Sequence, residues 1–226
     1  MTDPRPPSTP SGTSSRRFPL LLLAVFLAIW GWLAIAPLYR QDWLLENVLV
    51  FVAIPLLVWA SPRLRLRDRS YVALFVFFVF HAVGSHYTYS EVPIDAWCEA
   101  WLGFSPGAAF GFERNHYDRL VHFLYGLLAI PAALDIVDAR APTTRLWRWL
   151  LAVGFVTSHS LLYELIEWGA ALVFGGDLRM AFLGTQGDVW DAQKDMALAF
   201  LGSVLTATVL SRPGRPPTPV DRTARG

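Results

Sequence analysis

Apolar positions along this chain gather into six long runs, at about residues 18–38, 43–60, 70–87, 117–137, 148–174 and 189–211. Each is close to the ~20 residues an α-helix needs to cross the hydrocarbon layer of a bilayer. Helices are the spans to expect, because a backbone in lipid must satisfy its polar groups within its own segment. The pattern therefore predicts an all-α polytopic membrane protein, a single six-transmembrane-helix bundle over residues 18–211. Pro55 and Pro131 are expected to kink the second and fourth helices. The run "LFVFFVF" in the third reads as lipid-facing packing. Residues 1–17 and 212–226, rich in Pro, Thr and Arg, read as disordered cytoplasmic tails. The first run follows Arg16-Arg17 and ends in Ala34-Ile35-Ala36, which resembles a signal-peptidase site. Its length, with Trp30 and Trp32 inside it, favours a retained helix.

The third connection, about 88–116, is long and only partly polar. In "PIDAWCEAWLGF", Ile94, Trp97, Cys98, Trp101 and Leu102 fall at i, i+3, i+4, i+7 and i+8, with Asp95 and Glu99 off that stripe. The spacing predicts a short amphipathic interfacial helix.

Composition agrees with a membrane protein: 54% of the 226 residues are hydrophobic and 16% charged, and mean hydropathy is +0.39. A soluble domain carries about a quarter charged residues. A net charge of +1 and dispersed basic residues give no nucleic-acid face. The single cysteine, Cys98, excludes an intrachain disulfide. The charges also orient the chain. Arginines crowd the N-terminal tail, the connection "SPRLRLRDR", the connection with Arg140, Arg145 and Arg148, and the C-terminal tail. The third connection holds Glu91, Asp95, Glu99 and Glu113 instead. Positive-inside bias then puts both termini in the cytoplasm.

Polar residues inside the runs share the opposite side of the membrane. The third helix ends outward with His81, His86, Tyr89 and Glu91. The fourth begins there with Asp118 and His122. The fifth runs outward through Ser160, Glu164 and Glu167. The sixth begins with Asp188, Asp191 and Asp195. At 100° per residue, each of the last three sets lies within an arc of about 60°. Asp195 and Glu164 should stand roughly 10–15 Å below the surface. On a helical wheel, Arg119 and Lys194 point away from these acids. His159 lies opposite the Glu164 face and reads as a core histidine, and His116 as a solvated loop residue.

So many carboxylates must hold protons, pair with arginine or bind a cation. A histidine-plus-carboxylate set suits Zn, Mn or Fe better than Ca or Mg. The expected ligands are Asp118, His122, Glu164, Asp188 and Asp191. Glu167 or Asp195 would serve as general base, and His81, His86, Tyr89 and Glu91 would complete a polar cleft. Ionisable groups inside spans usually mark a functional site.

The stretches "HAVGSHYTYSEVP", "NHYDRLVHFLYG", "LLYELIEWGAAL" and "FLGTQGDVWDAQKDM", in this order, resemble the YjdF-type bacterial inner-membrane proteins, a domain-of-unknown-function family. That resemblance implies a multi-pass protein of the bacterial inner membrane. A looser similarity is to VanZ-like membrane proteins, through Asp118 and His122, Glu164 and Glu167, and Asp188 and Asp191; it implies work in the cell envelope. Together these features lead us to expect a metal-dependent hydrolase or transferase acting on a lipid-linked substrate at the outer leaflet. The rival expectations are a proton or divalent-cation transporter and a non-catalytic envelope scaffold.

Overall fold

Each apolar run folds as helix, and α-helix is the only regular structure among the described residues. The computed structural model describes residues 17–140, 143–174 and 186–211. The tails expected at 1–17 and 212–226 lie outside the described residues, apart from Arg17, which opens α1, and Ser211 remains at the other end. The helices are α1 (Arg17–Leu33), α2 (Arg40–Glu46), α3 (Val48–Leu64), α4 (Asp68–His86), α5 (Ile94–Leu102), α6 (Pro106–Phe110), α7 (Tyr117–Arg140), α8 (Arg145–Phe174) and α9 (Asp191–Leu210). Three stretches are long and apolar enough to cross a membrane: Arg40–Leu64, Tyr117–Arg140 and Arg145–Val173. α1 is apolar but shorter, and α4 and α9 carry more polar residues.

The second run divides into α2 and α3 at Asn47, which is fully buried. Its amide donates to the Trp43 carbonyl at 2.7 Å, and its side-chain oxygen accepts from Trp30 Nε1 at 2.6 Å. The helical ladder nevertheless runs across this point: the Asn47 N–H donates to the Trp43 carbonyl at 3.0 Å and the Phe51 N–H to the Asn47 carbonyl at 2.9 Å. α3 and α7 both continue through their prolines.

α7 is the central helix, packed against α4, α8 and α9. One apolar core joins α1, α3, α4 and α7 through Phe26, Val50, Phe77, Phe78 and Val121. Phe77 and Phe78 are thus core residues rather than lipid-facing ones: α1 and α7 pack on that side of α4 and cover their rings. A second core joins α7, α8 and α9 through Ile130, Leu134, Val153, Val156 and Ala207. Glycines bring α7 and α9 into backbone contact. A Cβ on Gly126 would lie 2.1 Å from the Ala199 carbonyl oxygen, and one on Gly202 would lie 2.4 Å from that of Phe123. Small residues at a crossing allow this approach where lipid supplies no hydrophobic drive between helices.

The amphipathic helix expected at 94–102 is α5. None of its residues is buried in the bundle; Trp101 is 85% exposed and Leu102 67%. Asp95 ties α5 to α6, accepting from the Gly107 amide at 2.6 Å and from Ser105 Oγ at 2.8 Å. These bonds hold its carboxyl below the usual aspartate range, the Gly107 amide first. The arginine-rich end of the bundle is closed by Asp135. Its Oδ2 accepts from the Arg67 amide and Ser70 Oγ, and the Arg67 and Arg69 guanidinium groups lie 3.5 and 3.6 Å from Oδ1.

Candidate functional site

The polar faces of α7, α8 and α9 converge at the end of the bundle opposite Asp135. Asp118 and His122 lie one turn apart on α7, with the Asp118 carboxyl 3.6 Å from His122 Nε2. Glu164 of α8 stands 3.5 Å from the same nitrogen. Asp195 of α9 completes the group: one ligand atom each from Asp118, His122 and Asp195 lie within 4.8 Å of one another. His122, Glu164 and Asp195 are buried. Glu164 Oε1 and Asp195 Oδ1 have no hydrogen-bond partner among the described residues. Buried oxygens left in that condition cost free energy unless a proton or cation satisfies them.

Of these side chains, Asp118, Glu164 and Asp195 border a cavity of about 250 Å³. Asp118, Glu164, Glu167, Asp191 and Asp195 form its polar wall, while Leu161, Leu165 and Trp168 form the other. Those three apolar residues are about half exposed on the outer face of α8. The cavity therefore reaches from a buried acidic group to a surface suited to lipid.

Asp188 and Asp191 sit differently. Arg114 grips Asp191 with two nitrogens, Nη1 to Oδ1 at 2.5 Å and Nη2 to Oδ2 at 3.2 Å. Arg119 reaches Asp188 at 2.5 Å and Asp191 at 3.2 Å, and Lys194 reaches Asp188 at 2.5 Å. Asp188 Oδ1 also accepts from the Trp190 amide at 3.0 Å. Lys194, then the Trp190 amide and Arg119, hold the Asp188 carboxyl well below the usual range. The wheel reading of Arg119 and Lys194 is corrected here. A wheel reports where Cβ leaves the helix, whereas these long side chains bend back and carry their charges several ångströms to a neighbouring turn or helix.

The remaining expected cleft residues divide. His81 is buried and bonded through Nδ1 to the Tyr89 hydroxyl, which curls back over α4 through left-handed backbone at Thr88 and Tyr89. His86 faces α1, its Nδ1 2.7 Å from the Leu33 carbonyl oxygen, and Glu91 is exposed; none of His81, His86, Tyr89 and Glu91 lines the cavity. His159 is exposed rather than core, its ring on Phe155, because the face opposite Glu164 looks outward. His116 is half-buried, stacked on Phe112 and 2.9 Å from Arg119 Nη1.

Sequence reasoning missed two buried acids on α2. Glu46 accepts from the Tyr163 hydroxyl at 3.3 Å, and Tyr163 packs edge-on to His122. Asp42 accepts from Thr88 Oγ1 at 3.1 Å. A carboxylate at the mouth of an otherwise apolar run was the available signal for both. Arg114 was missed as well: it lies in a loop, where no periodicity reports its direction.

A family profile described as "Predicted membrane protein (DUF2238)" matches residues 18–215. The chain is 37% identical over 174 residues to the "Inner membrane protein YjdF" of Escherichia coli (strain K12), covering 76% of this chain and 79% of that protein. No solved structure matches it.

Proposed function

The chain belongs to the predicted membrane protein family DUF2238, and from its site geometry we propose that it is a metal-dependent hydrolase or transferase of the cell envelope, acting on a lipid-linked substrate. One observation carries this reading: Asp118, His122 and Asp195 present three ligand atoms within 4.8 Å of one another, and Asp118 and Asp195 line a cavity that reaches the outer face of α8. Ligands held ~2.0–2.2 Å from one ion stand at most about 4.4 Å apart. The groups therefore need to close little to share one. Glu164, 3.5 Å from His122, is the fourth candidate ligand.

The mixed nitrogen and oxygen donors favour Zn, Mn or Fe. Such an ion lowers the pKa of a bound water and polarises an acyl or phosphoryl oxygen. The chain's own groups would do the rest. Glu167 borders the cavity beside Glu164 and takes the proton from the attacking water. Leu161, Leu165 and Trp168 receive the apolar part of the substrate from the bilayer. Asp188 and Asp191, engaged by Arg114, Arg119 and Lys194, hold α9 against the approach to α7 rather than filling the ligand set. A transporter would need a polar route onward. The Ile130, Leu134, Val153 and Val156 core stands between the acids and Asp135, which favours a closed-ended cleft.

Elemental analysis of the detergent-purified protein tests the proposal. It expects about one Zn, Mn or Fe per chain. His122→Ala and Asp195→Asn should lose the metal, while Glu167→Gln should keep it. Metal-free wild type that also takes up none of these ions on titration would end the metal reading.

A further inference from the structure

Far from the acidic cavity, α1, α3 and α4 enclose a cleft of about 530 Å³. Leu20, Leu23, Phe26, Leu57 and Phe78 make its walls apolar, and Arg65 and Tyr71 stand at one end. That end belongs to the arginine-rich connection between α3 and α4.

The arginines of this connection are engaged, with one exception. Arg63 lies over the Trp59 ring, 5.0 Å from its centroid. Arg67 and Arg69 reach Asp135. Among the described residues, the exposed Arg65 side chain has no hydrogen-bond or ion-pair partner, and Arg65 is one of the residues lining the cleft. Its backbone adds an independent observation. Arg65 closes α3 in the left-handed region, φ 54° and ψ 39°. Glycine or asparagine normally takes that position, because a Cβ there is strained. Strain of this kind persists where surrounding structure holds it and often marks a functional position. Here it falls on a residue that carries an unengaged cation and lines an apolar slot.

We propose that this cleft binds an anionic phospholipid, one acyl chain between α1, α3 and α4 and the phosphate against Arg65. The chemistry is matched along the slot's length: hydrocarbon inside, positive charge at the mouth. By positive-inside bias the mouth lies at the cytoplasmic surface, where anionic headgroups and basic pockets between helices meet. A zwitterionic lipid also offers an acyl chain, but its headgroup carries a compensating cation and gains less from Arg65. The site is separate from the acidic cavity and does not depend on any activity there.

Native mass spectrometry and thermal melting of the full chain in detergent, with phosphatidylglycerol or phosphatidylcholine added, test it. Wild type should retain one phosphatidylglycerol in preference to phosphatidylcholine, and only the former should raise the melting temperature. Arg65→Gly relieves the left-handed strain, so it should fold at least as well as wild type while losing that preference. Leu57→Trp, which fills the slot, should lose retention of both lipids. Equal retention of the two lipids by wild type, or an unchanged preference in Arg65→Gly, would overturn the proposal. Failure of wild type to take up either lipid would overturn it too, and would assign the slot to the chain itself or to a second copy.

Discussion

Arg114 and Asp191, separated by 77 residues, meet in a two-point contact at 2.5 and 3.2 Å, with side chains 11% and 4% exposed. The pair fastens the loop after α6 to the first turn of α9. Losing one partner of a buried pair costs about 3–5 kcal/mol when the other charge is left uncompensated, and here Arg119, 3.2 Å from Asp191, offsets part of that cost. Arg114→Gln should therefore lower the melting temperature on the order of 10 °C. Arg114→Gln with Asp191→Asn removes both charges and should recover part of the loss. A double variant less stable than Arg114→Gln alone would argue against charge burial as the cause.

Asp188 predicts an acid limb. Lys194, the Trp190 amide and Arg119 favour its ionised form, so its folded pKa lies below the unfolded value. A carboxylate shifted this way stabilises the fold above the ordinary aspartate pKa of about 3.9. That contribution is lost as pH falls below this point toward the folded pKa. The gap in melting temperature between wild type and Asp188→Asn should be full at neutral pH and narrow below about pH 4. A gap that stays constant down to about pH 3 would show that Asp188 acts through shape rather than charge.

The helices were legible in the sequence, and so was the end of the bundle where the acids meet. Period and length suffice for both, because a bilayer admits few other arrangements. Asp118, His122, Glu164 and Asp195 were recognisable by face. Their grouping apart from Asp188 and Asp191 was not, since it depends on where Arg114, Arg119 and Lys194 reach. Long flexible cations obey neighbouring charges rather than the helical wheel. The role of Asn47 was hidden for a related reason. Its side chain is held by Trp30 from another helix and by the Trp43 carbonyl, partners that the hydropathy of its own run does not report.

Orientation decides which compartment the cavity serves. The arginine asymmetry predicts Arg67 and Arg145 in the cytoplasm and Glu99 outside. Reporter fusions after Arg67 and Arg145 should be active only as cytoplasmic reporters, and one near Glu99 only as an external reporter. An external signal at Arg145 would turn the acidic cavity toward the cytoplasm and remove the outer-leaflet substrate.

The glycine crossing should control the site as well as the fold. Gly126 lies four residues below His122 on α7, and Gly202 lies seven below Asp195 on α9. The backbone contact between them therefore sets how closely His122 and Asp195 approach. A single methyl at either glycine meets a carbonyl oxygen, at 2.1 or 2.4 Å, and neither helix can yield without moving as a body. Overpacking of this kind costs about 1–3 kcal/mol or more. Gly31 and Gly154 are the controls: a Cβ at either meets nothing within 4 Å, and alanine is the better helix former. Gly126→Ala and Gly202→Ala should melt several degrees below wild type, while Gly31→Ala and Gly154→Ala should match or exceed it. If the metal proposal also holds, Gly126→Ala should weaken uptake of the ion although every ligand is intact, because α7 and α9 would stand further apart. Melting of Gly126→Ala at the wild-type temperature would mean that the helices do not touch there, and the crossing would lose its place as the spacer of the site.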